Sequence, residues 1–312
     1  MRRTTLPSLY ALRKMQPEAI ITAYSAITRR IFAQKRPAIP VVIPARNEER
    51  DIPSCLVAMA RSALPVQPIV VVNCTSDQTL ARATAMGAIV VEINGVKKMG
   101  ATQLGIQTAL KRANWPDPAA PVILFTDADT LVPRNWSRHM ADKLMRSLRQ
   151  DPRHGAAIYG SSIYMHGPSK LADLAQCLHA LALDIGYWLV HKPPLIRGHN
   201  YGLGLDNRGV IVKTIQSLDP VVMYRDDVLI AHSLRAHHVR ILGTLRPSTM
   251  VWTRGDRAHS FTEFWRNMYK PNYEKSTYDK QYDIEACPSN KPTKQQPDQP
   301  SKTAKSGEHH TK

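Results

Sequence analysis

The sequence predicts an α/β domain with a mostly parallel sheet and helices on both faces, the architecture called Rossmann-like. Four short apolar segments, each typical of a buried strand, alternate with helical segments between residues 40 and 125. The turns between these elements are short and polar. Because right-handed crossovers bring the carboxyl ends of parallel strands to one edge of the sheet, we expect the polar turns to form one ligand site there.

The elements of the first half follow one another without interruption. The predicted strands are residues 40–44, 67–73, 88–92 and 121–125, and the predicted helices are residues 51–63, 78–86 and 101–111. Ser76 or Asp77 can cap the second of these helices, because a short polar side chain accepts hydrogen bonds from the first helical turn. Glycines at 95 and 100 bracket a basic loop before the third helix.

The second half contains weaker signals. We predict helices at 133–148, 171–190, from Asp226 onward and at 261–269, strands at 155–164, 239–242 and 249–252, and a glycine-rich polar segment at 197–204 that lets backbone approach a ligand. Polar residues interrupt the 171–190 helix at roughly helical spacing. That pattern is typical of an amphipathic helix rather than a membrane span.

Composition narrows the range of partners. The formal net charge of +17 and a pI of about 9.9 favour anionic ligands. No nucleic-acid recognition motif is found, so specific nucleic-acid binding is not expected. The four cysteines are scattered, which indicates free thiols in a reducing compartment. No secretory signal is recognised, and we therefore expect a cytoplasmic protein.

The two ends of the chain differ from the centre. Residues 1–36 hold eight Lys/Arg and one acid around an apolar helical stretch. This basic amphipathic segment is interpreted either as a peripheral contact with the anionic inner membrane face or as a helix packed on the domain with a solvated basic side. Residues 285–312 form a polar tail that we expect to be disordered. The catalytic domain is predicted at 37–275, divided into halves at 37–135 and 136–275.

Two carboxylates, Asp127 and Asp129, end the fourth strand. Residues two apart on an extended backbone point to the same side, and two converging anions favour a hard cation, Mg²⁺ or Mn²⁺, between them. A helix cap at a strand end remains the alternative. Both glycine-rich phosphate loops are lacking, which suits a nucleotide whose phosphates are held by a metal.

Five segments, taken in order, resemble family 2 of the GT-A glycosyltransferases. They are Val41–Glu49, Val72–Thr79, Asp127–Asp129, Gly198–Asn200 and Asp226–Leu229. The resemblance implies a metal-dependent transfer of a sugar from a nucleotide-sugar to the hydroxyl of a glycan, lipid or small molecule. Direct displacement would invert the anomeric centre, and retention stays open because retaining enzymes share this fold and a histidine such as His259 would fit some of them. The Gln-x-x-Arg-Trp motif of processive synthases is missing, which favours transfer of a single sugar. Oligomeric state is left open.

The resemblance also implies roles for single residues. Asp129 binds Mg²⁺ or Mn²⁺, Asp127 contacts ribose or supports the metal, and Asp227 is the catalytic base beside Asp226. His259 is a candidate third ligand. The remaining candidates for substrate contacts are Pro44, Ala45, Arg46, Glu48, Asn73, Asp77, Lys98, Ala128, His199, Asn200 and Arg257. Asn73 stands at or beside a position where family members usually have an acid.

Two other functions remain open. A nucleotidyltransferase shares a nucleotide-binding α/β fold and metal carboxylates, but it usually begins with a glycine-rich loop, where this chain has Pro44-Ala-Arg-Asn-Glu48. A non-catalytic basic protein of the same fold would use its charge to bind nucleic acid or lipid.

Overall fold

The computed structural model describes residues 6–160, 162–165, 200–221, 226–244 and 246–254. The strands of the described part are β1 (Ile39–Ala45), β2 (Val66–Asn73), β3 (Ile89–Ile93), β4 (Val122–Thr126), β5 (Thr130–Leu131), β6 (Ala156–Gly160), β7 (Ser162–Met165), β8 (Asn200–Gly204), β9 (Arg240–Thr244) and β10 (Val251–Arg254). Its helices are α1 (Leu9–Lys14), α2 (Pro17–Phe32), α3 (Ile52–Ala60), α4 (Thr79–Ala85), α5 (Lys98–Arg112), α6 (Trp136–Gln150), α7 (Val210–Gln216) and α8 (Asp226–Ala236).

The predicted mostly parallel sheet is confirmed. Seven of the described strands form one sheet in the order β3-β2-β1-β4-β8-β6-β9, and only the pairs made by β8 are antiparallel. Val42 of β1 lies opposite Ile69 of β2 and Phe125 of β4. This register aligns the carboxyl ends of the three central parallel strands, which sets up the shared edge that the sequence predicted.

Helices cover both faces of this sheet. On one face Val41 and Ile43 of β1 pack in a core with α1, α2, α3, α4 and α6. On the other face Val42 packs in a second core with α5, α7 and α8. Gly105 lets α5 approach closely, because a Cβ atom there would lie 2.2 Å from Val42 Cγ1. The alternation of β1 side chains between two cores explains why the strand is apolar throughout.

The segment that ends at Gly204 corrects one prediction. Its described part is the antiparallel strand β8, every residue of which is buried. A Cβ atom on Gly202 would lie 2.6 Å from the Leu124 side chain, and one on Gly204 would lie 3.0 Å from Leu148. These glycines therefore serve packing between β8, β4 and α6 rather than the approach of a ligand.

Three further details differ from the predictions. The strand expected at 155–164 divides into β6 and β7, and β7 joins β5 and β10 in a separate three-stranded sheet. Helix α5 begins at Lys98, three residues earlier than predicted, so the second basic residue of the loop is helical. Helix α7 was not predicted. The predicted helices at 171–190 and 261–269 and the tail at 285–312 lie outside the described residues.

The N-terminal helices belong to the core. Leu12 of α1 and Ile20 of α2 are fully buried in it. Arg82 of α4 forms an ion pair of 2.7 Å with Glu18 of α2 and donates to the carbonyl of Glu49. Thus the apolar side of the basic segment packs on the domain. Within the described residues, no helix is long and apolar enough to cross a membrane.

Candidate active site

The turns that follow β1 and β2 are bonded to each other. The backbone N–H of Asn47 donates to Thr75 Oγ1 at 2.9 Å, and that of Glu48 donates to Thr79 Oγ1 at 2.7 Å. In return, Asn47 Oδ1 accepts from the backbone N–H of Ser76 at 2.9 Å. Backbone groups that would otherwise be unpaired at the strand ends are satisfied in this way, so each turn fixes the shape of the other.

Asp77 links the same two turns with both of its carboxylate oxygens. Oδ1 accepts from the backbone N–H of Thr79 at 2.9 Å and from its hydroxyl at 2.5 Å. Oδ2 accepts from the backbone N–H of Glu49 at 3.1 Å. The residue therefore bonds to the first turn of α4, as its sequence position predicted, and also crosses to the β1 turn.

Left-handed backbone occurs at the end of both strands. Asn47 has φ +54° after β1, and Cys74 has φ +45° directly after β2. Non-glycine residues rarely adopt this region, and surrounding contacts must hold them there. For Asn47 those contacts are its hydrogen bonds to the β2 turn. Backbone strain is thus concentrated at the predicted nucleotide site.

Asn73, the last residue of β2, is 6% exposed. Its Nδ2 donates to the carbonyl of Val96 at 2.9 Å, in the segment that leads into α5. Its Oδ1 is buried and has no hydrogen-bond partner among the described residues. An unpaired buried acceptor costs free energy, and a ligand that donates a hydrogen bond there would recover it.

Asp127 forms an ion pair with Lys98, the first residue of α5. The ammonium nitrogen lies 2.7 Å from Asp127 Oδ1, and the two side chains are 32% and 28% exposed. The two residues are 29 positions apart in the chain, and the parallel sheet brings them together. Both were predicted to contact the donor substrate, and the structure places them at the same point of the edge.

Asp129 is surrounded by threonine hydroxyls. Thr130 Oγ1 and Thr253 Oγ1 each lie 3.3 Å from Asp129 Oδ1, and the two hydroxyl oxygens are 3.0 Å apart. Pairing of β5 with β10 places the threonines opposite each other. The chain that leads to Arg257 and His259 therefore leaves the described part beside Asp129, although those two residues lie outside it.

Cys55 of α3 lies directly beneath the carboxylates and was not predicted. Its Sγ is 3.7 Å from the backbone oxygen of Asp127. Complete burial raises the pKa of the Cys55 thiol well above its usual value, and the charges of Asp129, Asp127, Asp51 and Glu48 raise it further. Four carboxylates therefore converge on this position, which makes the potential negative and attractive to a cation. A neutral thiol at this position packs in the core and does not act as a nucleophile.

The carboxylates suit a hard divalent cation. Asp127 and Asp129 offer oxygen ligands, the donor type that Mg²⁺ and Mn²⁺ prefer, and two hydroxyls lie beside Asp129. No group of three or more His, Cys, Asp or Glu side chains arranged to hold a metal is found among the described residues.

Asn200, which was predicted on the acceptor side, has both ends of its side-chain amide bonded within the protein. Asn200 is fully buried, its Oδ1 accepts from Trp136 Nε1 at 2.8 Å, and its Nδ2 donates to the carbonyl of Thr249 at 2.9 Å. A ligand would have to break those bonds. The side chain therefore joins β8 to α6 and to the turn before β10, and it positions these elements.

Asp227 lies in the first turn of α8 and is partly exposed. Pro220 lies between α7, which ends at Gln216, and α8, which begins at Asp226. Its carbonyl accepts from the backbone N–H groups of Lys97 at 3.1 Å and Gly100 at 3.3 Å. The approach to α8 is thereby joined to the start of α5, which carries Lys98.

The other predicted site residues have simpler surroundings. Pro44 and Ala45 end β1, Arg46 is partly exposed in the turn after it, and Ala128 is buried between the two aspartates. The side chain of Asp226 and the whole of His199 lie outside what the structure describes. Their predicted roles stay predictions.

A comparison with protein families gives a match over part of the chain. The model described as Glycosyl transferase family 2 matches residues 41–151, from β1 through α6. Over this range the chain is similar to family 2. The resemblance predicted from the motifs is confirmed there, and with it the assignment of the chain to the glycosyltransferases. The matched range includes the turns after β1 and β2 (residues 46–51 and 74–78), which bond to each other and are called the interlocked turns below. It also includes Lys98, Asp127 and Asp129.

Solved structures give more distant matches. Glucosyl-3-phosphoglycerate synthase from Mycobacterium tuberculosis, in complex with Mn²⁺ and UDP-glucose, is 21% identical over 77% of this chain and 78% of that one, with a TM-score of 0.44. The same enzyme with Mn²⁺, UDP and phosphoglyceric acid is 20% identical over 80% and 84%, with a TM-score of 0.43. No curated protein matches the chain.

Proposed function

We propose that this protein transfers a single sugar from a nucleotide-sugar to an acceptor hydroxyl with inversion, using Mg²⁺ or Mn²⁺. The observation that carries the proposal is the position of Asp127 and Asp129. They lie at the carboxyl edge of a parallel sheet, beside two interlocked turns, inside the range that the family 2 model matches. Ligands of open α/β sheets bind at this edge.

The nucleotide is bound by the ends of β1 and β2. Asn73 offers its buried Oδ1 to a ring N–H of the base, while Val96 holds the amide in that orientation. One wall of the nucleotide pocket is formed by residues at the end of β1 and in the turn after it, Pro44, Ala45, Arg46 and Glu48. Asp77 keeps the two turns together through its three hydrogen bonds, so we assign it a positioning role rather than a ligand contact.

The divalent cation would be held by Asp129, with Asp127 as its neighbour on the ribose side. Bound there, it would act as a Lewis acid that neutralises the leaving diphosphate. Thr130 and Thr253 fix the orientation of the Asp129 carboxylate by donating to it. Lys98 and Arg257 contribute positive charge to the diphosphate, and His259 is the candidate for a further ligand.

The acceptor side supplies the base. Asp227 accepts the proton of the acceptor hydroxyl, whose oxygen then bonds to the anomeric carbon from the face opposite the diphosphate. The bond between that carbon and the diphosphate oxygen breaks, and the nucleoside diphosphate leaves. A carboxylate in the first turn of a helix is well fixed for this task, and Asp226 adjoins it. His199 is retained as an acceptor contact, and Asn200 positions the strand that carries it.

A donor screen tests the reaction. The full chain with Mn²⁺ is incubated with a panel of nucleotide-sugars, and released nucleoside diphosphate is measured with and without glycan, lipid and small-molecule acceptors. We expect release with at least one donor and a fall of about 10³-fold in Asp227→Asn, because the acceptor proton then has no base. Asp219→Asn, in the loop before α8, is the charge-matched control and should keep activity.

Two results would contradict the proposal. One is full transfer activity in Asp227→Asn, which would show that Asp227 is not the catalytic base. The other is the lack of any nucleotide-sugar turnover together with tight binding of DNA, which would favour a basic binding protein. Incorporation of a nucleoside monophosphate into product would instead indicate a nucleotidyltransferase.

We also propose that the protein is cytoplasmic and contacts the anionic inner membrane face through exposed cations of the α2 region. Arg29, Arg30, Lys35 and Arg36 are all exposed there. Because the apolar side of α2 is packed in the core, this contact would be electrostatic and lost in high salt. Sedimentation with phosphatidylserine vesicles at low salt is the test. If a variant with all four residues changed to Gln sediments with the vesicles as much as the unmodified protein does, the proposed membrane contact is wrong.

A further inference from the structure

We infer that Lys98 and the divalent cation compete for Asp127, so that Lys98 leaves Asp127 for the donor diphosphate when cation and nucleotide-sugar bind together. The inference rests on the proposed function, because it assigns a cation and a diphosphate to this edge. It adds a mechanism by which binding of the cation and binding of the nucleotide-sugar are coupled.

The position of the ammonium group is the first reason. Lys98 Nζ is 2.7 Å from Asp127 Oδ1, and that oxygen is closed to solvent. A cation that arrives from solvent cannot reach Oδ1 until the ammonium moves.

The second reason is that the side chain can move while its backbone stays fixed. Lys97 and Gly100, on either side of Lys98 and Met99, both donate to the carbonyl of Pro220, which holds the start of α5 in place. The Lys98 side chain is 32% exposed and has four flexible carbons. Its ammonium group can therefore swing at the edge of the sheet without unwinding the helix.

Charge supplies the direction of the exchange. A divalent cation and an ammonium group on one carboxylate repel each other strongly at these distances. The diphosphate of the donor brings negative charge to the same edge and gives the displaced ammonium a new partner. Binding of the cation alone brings no such anion to the ammonium group. Lys98 thus weakens binding of the cation alone and strengthens binding of the nucleotide in its presence, which is positive coupling between the two ligands.

The test is Lys98→Met in the full chain, which keeps the length of the side chain and removes its charge. Mn²⁺ binding without nucleotide is followed by electron paramagnetic resonance. UDP and GDP binding at saturating Mn²⁺ is followed by calorimetry. For a partly exposed ion pair we expect Mn²⁺ to bind about three- to tenfold more tightly to the variant. The nucleoside diphosphate should bind about tenfold more weakly.

Lys111→Met is the matched control. Lys111 is exposed in the last turn of the same helix, and its removal changes the net charge by the same amount. Both affinities should equal those of the unmodified protein. If Lys111→Met tightens Mn²⁺ binding as much as Lys98→Met does, the effect is one of total charge and the inference is overturned.

The outcomes separate the inference from the proposed function. Unchanged or weaker Mn²⁺ binding by a folded Lys98→Met protein overturns the exchange, while loss of Mn²⁺ binding in Asp129→Asn would still support the metal site. If Asp129→Asn binds Mn²⁺ as the unmodified protein does, the metal site itself is wrong. Far-ultraviolet circular dichroism and a thermal melt establish that each variant is folded.

Discussion

The interlocked turns after β1 and β2 and the aspartate corner after β4 lie at one edge of the same sheet, yet their polar residues are used differently. In the turns, side chains of Asp77 and Thr79 bond to backbone N–H groups of the neighbouring turn. At the corner, the Asp127 carboxylate lies against the ammonium group of Lys98, and the Asp129 carboxylate lies beside the hydroxyls of Thr130 and Thr253.

The difference separates scaffold from ligand site. A side chain that pairs a backbone N–H cannot turn to a ligand without leaving that group unpaired, which costs about 1–3 kcal/mol. An ion pair or a hydroxyl contact at a partly exposed position can be exchanged for a ligand at lower cost. We therefore expect changes in the turns to lower stability, and changes at the corner to lower ligand binding and activity.

Asp129→Asn has the largest expected effect on activity. The amide keeps the shape and the hydroxyl contacts but removes the charge that would hold the cation. We expect kcat/KM to fall about 10³-fold, because stabilisation of the leaving diphosphate is worth several kcal/mol. Steady-state kinetics with the donor found in the screen measure the loss. The melting temperature should stay within about 2 °C of the unmodified value.

Thr253→Ser is the matched control for the corner, since it keeps the hydroxyl that approaches Asp129 and should keep most of the activity. A folded Asp129→Asn protein with normal kcat/KM would contradict the assignment of the corner to the cation. A large drop in melting temperature would contradict the distinction between corner and scaffold.

Much of the fold could be predicted from the sequence because its central strands have one consistent signal. Strands buried on both faces are apolar throughout, and β1, β2 and β4 all show this. Strand β8 was missed because glycines dominate it, and their reason is the close approach of Leu124 and Leu148 from other elements. Helix α7 was missed although Asp206 signals it, since that carboxylate caps the N–H groups of Val210 and Ile211 at 2.8 Å.

The candidate site was predictable in its members but not in their partners. Asp127 and Asp129 stand at a strand end that can be read from local sequence. The contacts that distinguish them come from Lys98 and from Thr253, which is 124 residues away from Asp129. Likewise, Asn200 matches a motif, yet its partners Trp136 and Thr249 are fixed only by tertiary packing. Motif identity thus indicates the location of a residue, and packing determines its role.

Asp77→Ala tests the scaffold side of the comparison and has the smaller expected effect on chemistry. It removes the hydrogen bonds that Asp77 accepts from Thr79 at the start of α4 and from the Glu49 N–H, so we expect a loss of about 1–3 kcal/mol in the free energy of unfolding. Urea denaturation measures it. Asp77→Asn should lose less, because asparagine also caps helices well.

At temperatures where the variants stay folded, kcat should remain within about threefold of the unmodified value, since the expected change lies in stability rather than in transition-state binding. If instead Asp77→Ala keeps full stability and loses nucleotide binding, then Asp77 contacts the ligand, and the turns and the corner are not distinguished in the way proposed.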